Sequence, residues 1–176
     1  MNQLPMHKQK GFSLIELLIV VAIILIIAAI AIPNLLRARM AANDSSAAAS
    51  IHAINIAEAA YFGAYSNVGF PATLLPLGGA SPCTPAIATA CLIDNNLALS
   101  GGGSGKSGYN FAATGSANPG SLNNDRFYVT ATPLNSLSGT RAYCSVEDMM
   151  IRLQPPGNVT LVGGYGACAA LGSMSP

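Results

Sequence analysis

The chain has 176 residues, of which 51% are hydrophobic and 9% charged, and its formal net charge is +1. That length allows one modest domain together with something unusually apolar. Setting Lys8 and Lys10 aside leaves six basic residues against seven acidic ones, which excludes a strongly basic face for nucleic acid.

Residues 1–11 form a short polar leader with Lys8 and Lys10 near its end. An apolar segment follows at once. From Phe12 onward only Ser13 and Glu16 interrupt it, and from Leu17 to Ile32 no polar side chain appears. A helix of about 20 residues crosses a bilayer core of roughly 30 Å, so residues 12–32 are long enough to span one. Pro33 then sits where a helix can kink, because it removes one main-chain hydrogen bond and its ring crowds the preceding turn.

Residues 33–66 predict a second, amphipathic half of the same helix. The stretch is rich in Ala, holds no proline after Pro33 and reaches its first glycine at Gly63, so its summed helix propensity is high. Leu36, Met40, Ala47, Ile51, Ile54, Tyr61 and Tyr65 recur at spacings of three, four or seven and define one stripe. Arg37, Arg39, Asn43, Asp44, Ser45 and Ser46 fall between them, the arginines reading as a solvated face near lipid headgroups. A nearly continuous helix from residue 12 to about 65 measures roughly 80 Å, too long for the inside of a small globule.

Residues 67–176 predict the globular head. Gly, Pro, Ser and Asn dominate as far as Lys106, which reads as a long connecting loop. Alternating apolar residues follow at Tyr109 and Phe111, at Phe127, Val129 and Ala131, at Ala142, Cys144 and Val146, and at Met149, Ile151 and Leu153. They predict three or four short antiparallel strands. A sheet of that size has one face to bury and the amphipathic helix supplies its partner, so the fold class is α+β. Beyond Pro155 and Pro156 the chain returns through Val159–Val162 and ends in a Gly- and Ala-rich tail.

The four cysteines, Cys83, Cys91, Cys144 and Cys168, contain no C-x-x-C pair. They suit two disulfides in an oxidising compartment, and three connectivities are open. Cys83 with Cys91 and Cys144 with Cys168 is the preferred pairing, the second loop adding about 3 kcal/mol on the chain-entropy model.

Catalysis finds no footing in this composition, and no cofactor or metal is implied. His52 is the one histidine beyond the leader and reads as a polar residue on the helix flank. Ser100–Ser107 resembles a phosphate-binding loop, but Ser100 stands where glycine is required and strand residues follow where a helix is needed, so it reads as a flexible loop. Asn123, Asn124 and Asp125 offer one carboxylate to a hard cation, and a turn between strands fits them better.

Lys10-Gly11-Phe12-Ser13-Leu14-Ile15-Glu16-Leu17-Leu18 is the informative stretch. With its basic leader, Gly, aromatic residue and Glu four residues on inside an apolar helix, it resembles the precursors of the type IV pilin and type II secretion pseudopilin superfamily. The likeness covers Lys8 to about Ile54 and includes Pro33, where these helices commonly bend. It implies a pilin-like fold, and a prepilin peptidase that cuts between Gly11 and Phe12 and methylates the freed amine of Phe12. The implied product is a homo-oligomeric helical filament, assembled by an inner-membrane platform from a single-pass precursor whose head lies outside the cytoplasm.

The chemistry agrees with that implication. Gly11 lets the scissile bond be approached closely, and Lys8 and Lys10 hold the leader on the cytoplasmic side. A carboxylate at membrane depth costs on the order of 2.5 to 3.5 kcal/mol near the centre and less toward the end. Glu16 therefore needs a partner, for which the amine of Phe12 in a neighbouring copy is suited; first-turn stabilisation by the helix dipole is the simpler role. A secretion pseudopilin, a minor pilin acting as an adhesin or DNA-binding module, and a secreted protein cleaved after Ala29-Ile30-Ala31 are the rival readings. Lys106, Arg126, Arg141 and Arg152 are dispersed along the head sequence, which disfavours the nucleic-acid reading.

Overall fold

The structure is a computed structural model that describes residues 11–103, 105–154 and 163–173. Lys8 and Lys10 lie outside the described residues, as does the expected return through Val159–Val162. The chain divides between Ala38 and Arg39 into two units.

A single helix, α1, runs from Leu14 to Ala64, 51 residues, and passes through Pro33. A proline in a helix forfeits one hydrogen bond, and the long apolar and Ala-rich runs on either side supply the remaining helical bonds. Among the described residues of the first unit α1 has none that is buried: Leu14 is 81% exposed, Ile26 64% and Val20 45%. The helix is long and apolar enough to cross a membrane.

In the second unit α1 buries Ala47, Ile51, Ile54, Ala57 and Tyr61. This is the stripe expected from the periodicity, beginning at Ala47; Leu36 is exposed and Met40 only half-buried. Its partner is a four-stranded antiparallel sheet in the order β1 (Tyr109–Ser116), β2 (Arg126–Pro133), β3 (Tyr143–Val146), β4 (Arg152–Leu153). The register sets Phe111 opposite Ala131, Ala113 opposite Val129, Ala131 opposite Tyr143 and Val129 opposite Ser145. Successive side chains alternate between faces of a strand, so these residues form one surface. With Tyr109 and Phe127, all of them but Ser145 join the α1 stripe in the main core. Aromatic rings knit that core, with Phe70 and Phe127 4.7 Å apart between centroids and Tyr109 and Tyr143 6.0 Å apart.

The opposite face of the sheet is also covered over β3. Cys144 and Val146 pack there with Cys168, Tyr128, Tyr165 and Leu171, Tyr165 and Cys168 lying on a short helix, α3 (Tyr165–Ala169). The expectation of one buried face is therefore corrected. All four residues of β3 are buried because the chain terminus folds back across it and is bonded through Cys144 to Cys168.

Residues 66–106 depart furthest from expectation. Instead of an extended loop they hold 3-10 turns at Leu75–Leu77 and Ser100–Gly102 and a short helix, α2 (Asn95–Ala98). Phe70, Leu74, Leu77 and Leu97 anchor the segment in the main core. Asp94 caps α2 by accepting from the Leu97 N–H at 3.0 Å, which satisfies one of the unpaired donors at a helix start. Cys83 and Cys91 are bonded within the segment, so both disulfides follow the preferred pairing. The supposed flexible loop is likewise structured where described: Ser100 is fully buried, and Lys106 pairs with Asp94 at 2.8 Å before the chain turns into β1.

Candidate functional site

The sequence places the site at the start of α1. Gly11, Phe12 and Ser13 precede the helix, and Glu16 lies in its first turn. The first regular bond runs from the Leu17 N–H to the Ser13 carbonyl at 3.2 Å. Phe12 is 74% exposed, and Leu14, Ile15, Leu17 and Leu18 around Glu16 are exposed as well. Glu16 is thus a carboxylate set in an apolar surface that the described residues do not cover. A negative charge in the first turn also meets the positive end of the helix dipole, worth about 0.3 to 1 kcal/mol.

The expected secondary positions fall as follows. Arg37, Arg39 and His52 are exposed on α1. Asn123 to Asp125 form the turn between β1 and β2: the Asp125 carboxylate accepts from the Asn118 N–H at 2.7 Å and from its side-chain amide at 2.9 Å. Those bonds hold the Asp125 carboxyl below its usual range. Asn124 stitches the turn to the segment before it, its amide donating to the Phe70 carbonyl while its own carbonyl accepts from the Phe70 N–H. Of the four head cations, Lys106 pairs with Asp94, Arg152 with Asp148, and Arg126 lies over the Tyr165 ring at 5.0 Å. Among the described residues no group of three or more His, Cys, Asp or Glu is placed to hold a metal ion.

Two polar constellations of the head were not singled out from the sequence. On α1, Asp44 accepts from the Tyr109 hydroxyl at 2.5 Å, and from the Thr140 N–H and hydroxyl at 3.2 and 2.7 Å. Burial and then the Asp44 carboxylate push the Tyr109 phenol far above its ordinary range, and push Tyr143 up to about 12. Asn43 adds a bond to the Ser138 carbonyl at 2.7 Å, so adjacent α1 residues fasten the β2–β3 connection. The second constellation is Asn55 and Glu58. Both sit on the buried stripe, one turn apart, where the period of three and four between Ile51, Ile54 and Tyr61 places them. Asn55 donates to the Ser145 hydroxyl at 2.8 Å. Glu58 is fully buried, and among the described residues neither of its carboxyl oxygens has a hydrogen-bond partner.

Comparison with known proteins decides the family. The model of the prokaryotic N-terminal methylation motif matches residues 6–32. The type IV wide pilus major component PilA4 of Thermus thermophilus is 42% identical over 113 residues, covering 62% of this chain and 84% of the relative. The chain belongs to the type IV pilins.

The type IV major pilin protein PilA of Myxococcus xanthus is 46% identical over 55 residues, 31% of this chain and 25% of the relative. No solved structure matches the chain significantly. Within the pilin family, the apolar start of α1 and the disulfide-bonded α+β head are the two parts for which a function has to account.

Proposed function

We propose that this pilin is a structural subunit of a type IV pilus and that it polymerises through the first half of α1. One observation carries the reading: from Leu14 to Ile32 the large apolar side chains of α1 are exposed in the single chain. Covering each contributes about 1.5 to 3 kcal/mol, so the segment belongs in a bilayer or against copies of itself.

In the proposed sequence of events the precursor spans the inner membrane once through residues 12–32, with the leader of residues 1–11 in the cytoplasm and the head, residues 67–176, in the periplasm. Residues 33–66 carry α1 into the head, and any bend at Pro33 adjusts its path. Prepilin peptidase cuts between Gly11 and Phe12 and methylates the new amine, Lys8 and Lys10 leaving with the leader. The cationic amine of Phe12 then pairs with Glu16 of a neighbouring copy as the assembly platform draws subunits into the filament. Charge neutralisation sets the register, and apolar helix packing supplies most of the stabilisation. The chain performs no catalysis in this scheme. Both relatives are named as pilins, so their likeness favours a pilus over a secretion pseudopilus.

The experiment combines mass spectrometry of the mature N-terminus with fibre imaging. A methylated Phe12 start is expected in wild type and in Glu16→Ala alike, with fibres lost only in the variant. Normal fibres from Glu16→Ala remove the charge pair from the mechanism, and a mature protein beginning at Ile32 removes the filament reading altogether.

A further inference from the structure

Glu58 is the one fully buried acid on the face that α1 turns toward the sheet. One turn before it, the Asn55 amide donates to the Ser145 hydroxyl of β3 at 2.8 Å and to the Met149 carbonyl at 3.3 Å. One turn after it, the Tyr61 hydroxyl donates to the Ile87 carbonyl at 2.8 Å. The acid is thus shut into a seam closed at both ends by hydrogen bonds to different parts of the head. Neither fastening gives it a donor, and the Asn55 side-chain oxygen, on the preceding turn of α1, is also an unpartnered acceptor among the described residues.

An ionised carboxylate in such a place forfeits its hydration with nothing in return, whereas the neutral acid carries its own proton. On α1 itself the phenol of Tyr61 is pushed up by burial first, then by Tyr65 and by Glu58. The elements packed across the seam present the Ser145 hydroxyl and the Met149 and Ile87 carbonyls, none of them ionisable. The charges that follow β3 are engaged elsewhere, Glu147 accepting from Tyr165 and Asp148 pairing with Arg152.

We propose that Glu58 makes the pilin head a proton-dependent fold: the seam between α1 and the sheet closes around the neutral acid, and loss of that proton opens it from Asn55 to Tyr61. The proposal is independent of how the filament assembles. Burial raises the Glu58 carboxyl from 4.5 to about 8, so the folded head holds the proton about three thousandfold more tightly than the unfolded chain. Below pH 4.5 both states are protonated and the stabilisation is complete. Between 4.5 and 8 the unfolded chain ionises while the folded head does not, and the folding constant falls about tenfold per pH step. Above 8 the stabilisation has been lost.

The test is thermal unfolding of the full-length mature protein, disulfides intact, in non-ionic detergent micelles from pH 5 to 9. Near-UV dichroism of the tyrosines reads the head, since the micelle holds the apolar helix. The wild-type melting temperature is expected to fall steadily with pH, and Glu58→Gln to remove most of that fall and to melt above wild type at pH 9. Parallel slopes for the two proteins overturn the proposal. Infrared spectroscopy at pH 7 provides a second reading that does not require the Gln variant to fold. The carbonyl stretch of a protonated acid is expected in wild type and must persist in Glu16→Gln. Its absence, or its disappearance in Glu16→Gln, overturns the assignment.

Discussion

Replacing Asp44 by Ala should loosen the head by about 2 to 3 kcal/mol. The magnitude follows from what each bond retains when its acceptor is removed. Thr140 is exposed, so water replaces Asp44 as partner of its N–H and hydroxyl, and together those bonds contribute at most about 1 kcal/mol. The Tyr109 side chain is fully buried, and its bond to a charged acceptor belongs to the class worth about 1.5 to 3 kcal/mol. Its hydroxyl still reaches the Arg141 carbonyl at 2.8 Å, which spares it the penalty of an unsatisfied buried donor and holds the total near the middle of the range. Tyr109→Phe should cost about 1 to 2 kcal/mol by losing the same bond from the other side. Since both substitutions remove one shared interaction, the double variant should cost about 1 kcal/mol less than the sum. Denaturant unfolding of the four proteins at one pH, followed by tyrosine dichroism, measures that coupling, and additivity within about 0.3 kcal/mol would refute the argument. The Asp44→Ala protein should also titrate its Tyr109 phenol at lower pH than wild type, because the carboxylate is one of the groups holding it up.

The disulfides join residues 24 and 8 positions apart, for which the chain-entropy model gives about 3 to 3.5 and about 2.5 kcal/mol. Paired Cys→Ser variants should therefore rank with Cys144/Cys168 as the less stable in a thermal melt, and the reverse order would show that strain or denatured-state structure governs instead. At Gly139 an added Cβ would stand 2.2 Å from the Tyr109 hydroxyl oxygen and 2.6 Å from an Asp44 carboxylate oxygen. Gly139→Ala should then destabilise by about 1 to 3 kcal/mol, and nearly as much in an Asp44→Ala background, where the closer Tyr109 hydroxyl and ring remain in place.

How far the fold could be read from sequence follows from which residues carried the pattern. The long helix was legible because its apolar run and Ala-rich continuation leave no competing local structure, and α1 closes at Ala64 beside the expected end. The strands β1 and β2 were legible through single-face burial of Tyr109 and Phe111 and of Phe127, Val129 and Ala131. The end of β1 was not, because Gly115 and Ser116 lack strand character of their own and are held by pairing with Phe127 and Arg126. The burial of β3 on both faces comes from a terminus some twenty residues onward, information that local periodicity cannot contain. Residues 66–106 misled for a related reason: isolated anchors such as Leu74, Leu77 and Leu97 are spaced by turns and show neither helical nor strand period. Glu58 was readable by position, since the stripe through Ile54 and Tyr61 includes it. Its chemical type gives no sign of that burial.

Any account of this pilin must also explain how its apolar helix can change surroundings. Large side chains of the first unit, from Phe12 to Leu36, are 40 to 81% exposed. At about 1.5 to 3 kcal/mol each when fully covered, a dozen of them outweigh the roughly 5 to 15 kcal/mol that stabilises a whole domain. That surface keeps the segment out of water but does not distinguish lipid tails from neighbouring helices, which are equally apolar. A preference for one over the other must come from something lipid cannot match. In the proposed assembly Glu16 is that element, since hydrocarbon offers its carboxylate no cation whereas a processed neighbour offers the amine of Phe12. The same reasoning makes leader removal a switch: until the bond after Gly11 is cut that amine does not exist, and an unprocessed subunit has the apolar surface for the filament without the charge that selects it.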